Sequence, residues 1–186
     1  MATIPDQLRS NAVATLLDEF RVKYGKLSRT GKLYGLIVAD QDAKVLAANS
    51  FFHQKLNYWD VGAIGAALYG VGKQARDFFQ AQDLDRATLI FGDFMFFTHI
   101  IGTVSLGANH KQTRELILIS IGERTINLGL VVMLMQKYAP KILHQVEHDE
   151  KARSQMRMSE SEFTLHLEDL KKQLFSLTES DIGGVI

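Results

Sequence analysis

Apolar positions recur along this chain with one of two periods. Between Thr3 and Tyr24, the residues Leu8, Val13, Leu16, Leu17, Phe20 and Tyr24 form a stripe, with Arg9, Asp18, Glu19, Arg21 and Lys23 outside it. That is the period of a helix packed on one side. Thr3 and Asp6 read as its caps and Pro5 as a first-turn residue. Leu33–Ala39 and Lys44–Ala48 read as a hairpin around the turn Asp40-Gln41-Asp42-Ala43. Three more strands follow at Arg86–Gly92, Phe94–Ser105 and Arg114–Ile121, with turns at Gly92-Asp93 and Gly107–Lys111. In the middle strand Phe94, Phe96 and Ile100 point one way and Met95, Phe97 and Ile101 the other, so both faces should be covered. Thr125 reads as the cap of a helix through Ile126, Leu130, Val131, Leu134, Met135 and Tyr138, which Pro140 should kink or break before it resumes to Asp149. Glu147–Met158 reads as a charged connection. A capping box of Ser159 and Glu162 then opens a last helix, with Phe163, Leu167, Leu170, Leu174 and Leu177 on one stripe.

Asn57–Ala81 departs from the ordinary amphipathic pattern. Asn57 caps it and Asp60 sits in its first turn. Val61, Ile64, Leu68, Val71, Ala75 and Phe78 read as the buried face. The opposite face should be polar, yet no charge appears from Val61 to Gly72. Gly62, Ala66 and Gly70 sit four apart, with Ala63 and Tyr69 beside them. Each interior glycine costs about 1 kcal/mol relative to alanine, and close backbone approach by another element would offset that cost. A copy of this helix in a dimer and a larger monomer core both satisfy that reading.

Short connections make both strand groups antiparallel. The expected fold class is α+β: a five-stranded antiparallel sheet with helices on both faces, in the order α-β-β-α-β-β-β-α, plus a C-terminal helix. Residues 1–149 form the expected domain, and 150–186 a charged linker, amphipathic helix and tail.

Composition narrows the function classes. The 186 residues carry zero formal net charge, so nothing global points to nucleic acid or an anionic membrane. No cysteine is present, which removes disulfides and thiolate metal sites. No apolar run approaches a bilayer span and no signal peptide is read, so a soluble cytoplasmic protein is expected. His144-Gln-Val-Glu147-His148 has the H-x-x-E-H spacing of a zinc hydrolase, but it leads into a charge run and reads better as a polar helix end. Gly70-x-Gly72-x-x-Ala75 lies inside a helix, and Gly72-Lys73 lacks the upstream glycine and the following Ser or Thr, so no nucleotide loop is read. His99 reads as a half-buried strand histidine. Lys26, Arg29 and Lys32 form a small basic cluster around a loop. No catalytic residue, cofactor or metal is expected.

The order helix, hairpin, long helix, three-stranded meander, helix resembles the roadblock/dynein light chain family, in the profilin-like and longin-like group. Gly35-Leu-Ile-Val-Ala-Asp40 with Asp42, the small-residue second helix and Asn127-Leu-Gly129 carry the resemblance over Thr3 to His148. Ala43 stands where the family often has glycine. The resemblance implies a non-enzymatic homodimer that binds Ras-like or Arf-like small GTPases and modulates their nucleotide state or localisation. It implies pairing through the second helix and the next edge strand, here Gly62, Ala63, Ala66, Tyr69, Gly70, Thr88 and Ile90. Tyr69, Lys73, Arg76 and Asp77 are the expected partner contacts. Its expected partners are itself and a small GTPase, with no nucleic acid and no membrane insertion. Leu33–Asn49 also resembles the start of a PAS small-ligand sensor, but PAS domains follow it with several short helices rather than one long one.

Overall fold

The computed structural model describes residues 5–53, 56–80, 85–106 and 113–157. The elements run α1 (Asp6–Arg9), α2 (Ala12–Leu27), β1 (Leu33–Asp40), β2 (Val45–Ala48), α3 (Tyr58–Phe79), β3 (Arg86–Phe91), β4 (Phe94–Ser105), β5 (Thr113–Glu123), α4 (Leu128–His148) and α5 (Glu150–Arg157). The strands form one antiparallel sheet in the order β2-β1-β5-β4-β3. The α+β class, five strands and helices on both faces follow the pattern of the sequence. The expected turn Gly107–Lys111, the helix from Ser159 and the tail Ser180–Ile186 lie outside the described residues.

Strict alternation gives the sheet two apolar faces. Leu36, Val38, Phe97, Leu116 and Leu118 join a core with α2 and α4, where Leu17, Phe20, Leu134 and Ile142 are fully or almost fully buried. Ile37, Ala39, Phe96, Ile117 and Ile119 join the other core, under α3 and Leu8 of α1. In β4, Phe94, Phe96 and Ile100 lie on the α3 side, while Met95, Phe97 and Ile101 lie on the α2–α4 side, as the alternation predicts.

The helix α3 seats the first part of its expected apolar stripe, with Val61 buried and Ile64 and Leu68 packed against the core, and it seats glycines beside them. Its buried residues are Tyr58, Val61, Gly62, Gly65 and Tyr69. Gly62 and Gly65 therefore face the protomer's own sheet, while Ala63 is exposed. A Cβ on Gly65 would stand 2.3 Å from Ile119 Cδ1, and one on Gly62 would stand 2.8 Å from Val45 Cγ2. Close approach between helix and sheet is what offsets the helix cost of these two glycines. Beyond Leu68 the stripe leaves the core: Val71 is 64% and Phe78 82% exposed, although both belong to the expected buried stripe.

Four local features also differ from expectation. The first helix is two, because Asn11 caps α2 by accepting from Ala14 N–H and ends the single turn of α1. Asn127, not Thr125, caps α4 by accepting from Leu130 N–H at 3.0 Å. The helix α4 runs unbroken through Pro140, held on both sides by buried Tyr138, Ala139, Ile142 and Val146. The charged run after it is helical too: Asp149 Oδ1 accepts from Lys151 and Ala152 N–H to start α5, whose Ala152 and Met156 enter the core.

The β1–β2 hairpin carries two unusual residues. Ala43 has a φ of 67°, in the left-handed region that glycine tolerates and alanine does not. Asp40 is fully buried; its Oδ1 accepts from the backbone N–H of Asp42 and Lys44, while Oδ2 has no hydrogen-bond partner. Lys44 is buried beside it and donates to Met156 O at 3.1 Å. Desolvation pushes the Asp40 carboxyl up to about 6, against the pull of Lys44.

Two outcomes follow for stability. Ala43→Gly should raise the denaturant midpoint, with a gain of up to about 1 kcal/mol after the extra freedom of the unfolded chain is counted. An unchanged or lowered midpoint would show that the turn relaxes around alanine. For Asp40, the folded value lies above the ordinary 3.8, so the folded state binds the proton more tightly. Its contribution is then fully present below about pH 4 and lost as pH rises through about 6, to a total of roughly 3 kcal/mol. The stability of Asp40→Asn measured against the natural chain should therefore grow across that window; a constant difference would contradict it.

Candidate interaction surface

The two edges of the sheet are treated differently. At one edge β2 is buried along its whole length beneath α1, α2 and α3. Asn11 Nδ2 also donates to Leu46 O at 3.0 Å, satisfying an edge carbonyl. At the other edge β3 is open: Thr88, Leu89, Ile90 and Phe91 are all exposed. Leu89 is 38%, Ile90 50% and Phe91 42% exposed. An edge strand with free ladder groups and apolar side chains on both faces is a template for pairing. It lies beside α3, which contacts it and turns Val71 and Phe78 outward.

The residues expected at a dimer interface divide into two sets. Ala63, Thr88 and Ile90 are exposed, and Ala66 and Gly70 are half-buried. A Cβ on Gly70 would meet nothing within 4 Å, so its outer side is open space. Gly62 and Tyr69 are buried on the sheet side, because the glycine face of α3 is the one that seats the helix. The outward residues that the sequence reading missed are Val71, Phe78, Phe79, Leu89 and Phe91. A signal for two of them was present: β3 alternates Thr88 and Ile90 with Leu89 and Phe91, leaving no polar face on a strand that the order puts at the edge.

The four expected partner contacts come together at the C-terminal half of α3. Lys73 Nζ donates to Tyr69 Oη at 3.3 Å and lies 5.6 Å from the ring centroid. Arg76 pairs with Asp77 at 2.9 Å. Tyr69, Lys73 and Arg76 line a cavity of about 260 Å³ with Asp85, Thr103 and Glu115. Tyr69 is buried, while Lys73, which donates to its hydroxyl, is exposed. Arg76, engaged by Asp77, is not held out as a lone cation.

Elsewhere, His144 and His148 stack with ring centroids 4.3 Å apart, and His148 Nδ1 contacts His144 O at 2.7 Å. Among the described residues no group of three metal-binding side chains gathers around them. His99 is half-buried on β4 with Nδ1 3.3 Å from Asp85 O, and burial lowers its pKa. Among the described residues, no helix is long and apolar enough to cross a membrane.

No family model and no curated protein matches this sequence. Solved structures do match the fold. The gliding protein MglB of Thermus thermophilus superposes with a TM-score of 0.57, at 10% identity, over 79% of this chain and 100% of that one. The chain has the roadblock/LC7 fold. MglB in a tetrameric arrangement gives 0.55 at 12% identity, over 78% and 98%, and Myxococcus xanthus MglB gives 0.54 at 10%, over 71% and 92%. The single 22-residue α3 between the hairpin and the meander is the feature of this fold that separates it from the PAS pattern.

If the open edge is the adhesive one, its charge state should govern solubility. Ile90→Lys should reduce concentration-dependent light scattering while the far-UV circular dichroism stays that of the folded chain, since half of that side chain already faces water. Unchanged scattering would show that this edge does not pair.

Proposed function

We propose that this chain is a non-enzymatic homodimer that binds a Ras-like small GTPase and modulates its nucleotide state or localisation. The observation that carries the reading is the open apolar edge of β3 beside the outward side of α3, on a sheet whose other edge is sealed. Each half-exposed Leu, Ile or Phe gains about 1 kcal/mol on full burial, so several on one strand supply a strong motive to pair. Pairing two β3 strands would continue the sheet and bring two copies of α3 together through Ala63, Ala66, Gly70 and Val71. The roadblock/LC7 fold supports this reading, and self-association is a use of the fold in MglB in its tetrameric arrangement.

A paired α3 would also set two copies of Lys73 and the Arg76–Asp77 pair on one side of the dimer. That surface is the proposed contact for the GTPase. A long polar side chain there adds electrostatic selectivity between nucleotide states of a partner more than raw affinity.

Two measurements test the parts separately. Ile90→Asp combined with Val71→Asp should convert the dimer to monomer by light scattering or sedimentation; an unchanged dimer would remove this interface. Small GTPases from the same cell, loaded with GDP or a GTP analogue, are then tested for binding. At least one should bind with preference for one state, and Lys73→Glu should weaken it about tenfold, or 1.4 kcal/mol. Failure of every GTPase in both states would sink the function while leaving the dimer standing.

A further inference from the structure

A second concavity lies away from α3 and β3. It has a volume of about 780 Å³ and is walled by the C-terminal half of α2, the loop into β1, the start of β1 and the segment after β2. Three cations line it: Arg21, Arg29 and Lys32. Arg29 and Lys32 are both exposed, and Arg21 Nε is buried without a hydrogen-bond partner. Among the described residues none of the three side chains has a carboxylate at ion-pair distance. The carboxylate in the lining, Glu123, is already engaged. It accepts from Lys32 N–H at 3.1 Å, from the Tyr34 hydroxyl at 3.2 Å and from the Thr125 hydroxyl at 3.4 Å. Asp18, on the same helix as Arg21, is also engaged, accepting from the backbone N–H and hydroxyl of Ser50. The groove is therefore lined by three cations against one carboxylate, an excess of positive charge.

It also holds an apolar surface. Phe51 is 68% exposed and carries the Arg21 guanidinium 5.2 Å from its ring centroid. The walls are fixed. Tyr24 donates its hydroxyl proton to Thr30 O at 3.0 Å, and Asp18 pins the segment that presents Phe51. Cations at a helix C-terminus can serve only to offset its dipole. Lys26 stands in that last turn, but Arg21 lies well before it and Lys32 beyond it, so the dipole does not account for them.

We propose that this groove receives an acidic segment of a partner protein, its carboxylates against Arg29 and Lys32 and an apolar side chain against Phe51. Charge complementarity names the occupant: three unpaired cations beside one exposed ring match alternating acidic and apolar residues. The cations line a concavity, which the flat face of an anionic bilayer does not enter.

The test uses the full chain and three probes, read by fluorescence anisotropy. One is a fluorescein-labelled peptide of alternating Glu-Phe and Asp-Leu pairs, the second the same peptide with Lys at every acidic position, and the third labelled vesicles containing phosphatidylserine. The acidic peptide should bind saturably and weaken with added salt. Arg29→Glu with Lys32→Glu should weaken it about tenfold or more, one decade in Kd. Arg29→Gln with Lys32→Gln serves the same purpose if charge reversal disturbs the fold by circular dichroism. Phe51→Ala should weaken binding with the salt dependence retained, and Lys73→Glu on α3 should leave it unchanged. Unsaturable binding, equal binding of the lysine peptide, indifference to both double variants, or binding of the vesicles alone would overturn the proposal.

Discussion

The close seating of α3 on its sheet through glycine constrains which of its side chains reach the core: Val61 and Tyr69 are buried there, and Ile64 and Leu68 pack against it. The rest of this structure depends on that constraint. Gly62 and Gly65 bring α3 against Val45 and Ile119 so closely that a Cβ at either position would overlap them. Gly62 and Gly65 share that seated face with Val61, Ile64 and Leu68. Val71 and Phe78 lie off that face and are exposed.

The same constraint shapes the two sides of the molecule. The side with α2 and α4 holds a closed core, with Phe20 stacked on Tyr138 and α5 packed behind it. The side with α3 is thinner, a single long helix over a sheet whose edge strand is uncovered. Surfaces of opposite character follow. One is apolar and lies along β3 and α3, suited to a partner of like shape. The other is the cationic groove at the end of α2, suited to a partner of opposite charge. They lie on different elements, so occupation of one does not sterically require the other to be empty.

Much of the fold was legible because alternation and helical period are strong signals over long elements. All five strands, the long α3 and the two faces of β4 follow from pattern, and α4 does so apart from its unbroken passage through Pro140. The seating of Gly62 and Gly65 beside Val61, Ile64 and Leu68 did not follow, because the sequence does not show which residues of the facing strands approach the helix. α5 was hidden for a related reason. In Glu150–Arg157 only Ala152 and Met156 are apolar, so two core contacts pass for a solvated run. Lys44 shows the converse: a lysine in a hairpin reads as surface, yet it is 3% exposed because the end of α5 supplies a carbonyl. Of the candidate interface, the small residues on α3 and Thr88 and Ile90 were visible in pattern and family likeness. Phe91 and Phe79 were not, since apolar residues at element ends carry no period. Arg29 and Lys32 were visible as a cluster, but their lack of counter-charges is a property of space and not of spacing.

The strand order has a consequence for how the chain comes to exist. The strand β5 lies between β1 and β4 and is bonded to both, yet it is the last of the five in sequence. During synthesis the two hairpins, β1–β2 and β3–β4, are complete before the element that joins them leaves the ribosome. Each then waits with an unpaired inner edge and two apolar faces, a condition that favours association with other chains. The long-range pairing of β1 with β5 also closes a large loop late, which slows folding relative to a sheet built in sequence order. A nascent chain halted before Thr113 therefore owns most of its residues and none of its finished sheet, and the time spent in that state is set by translation.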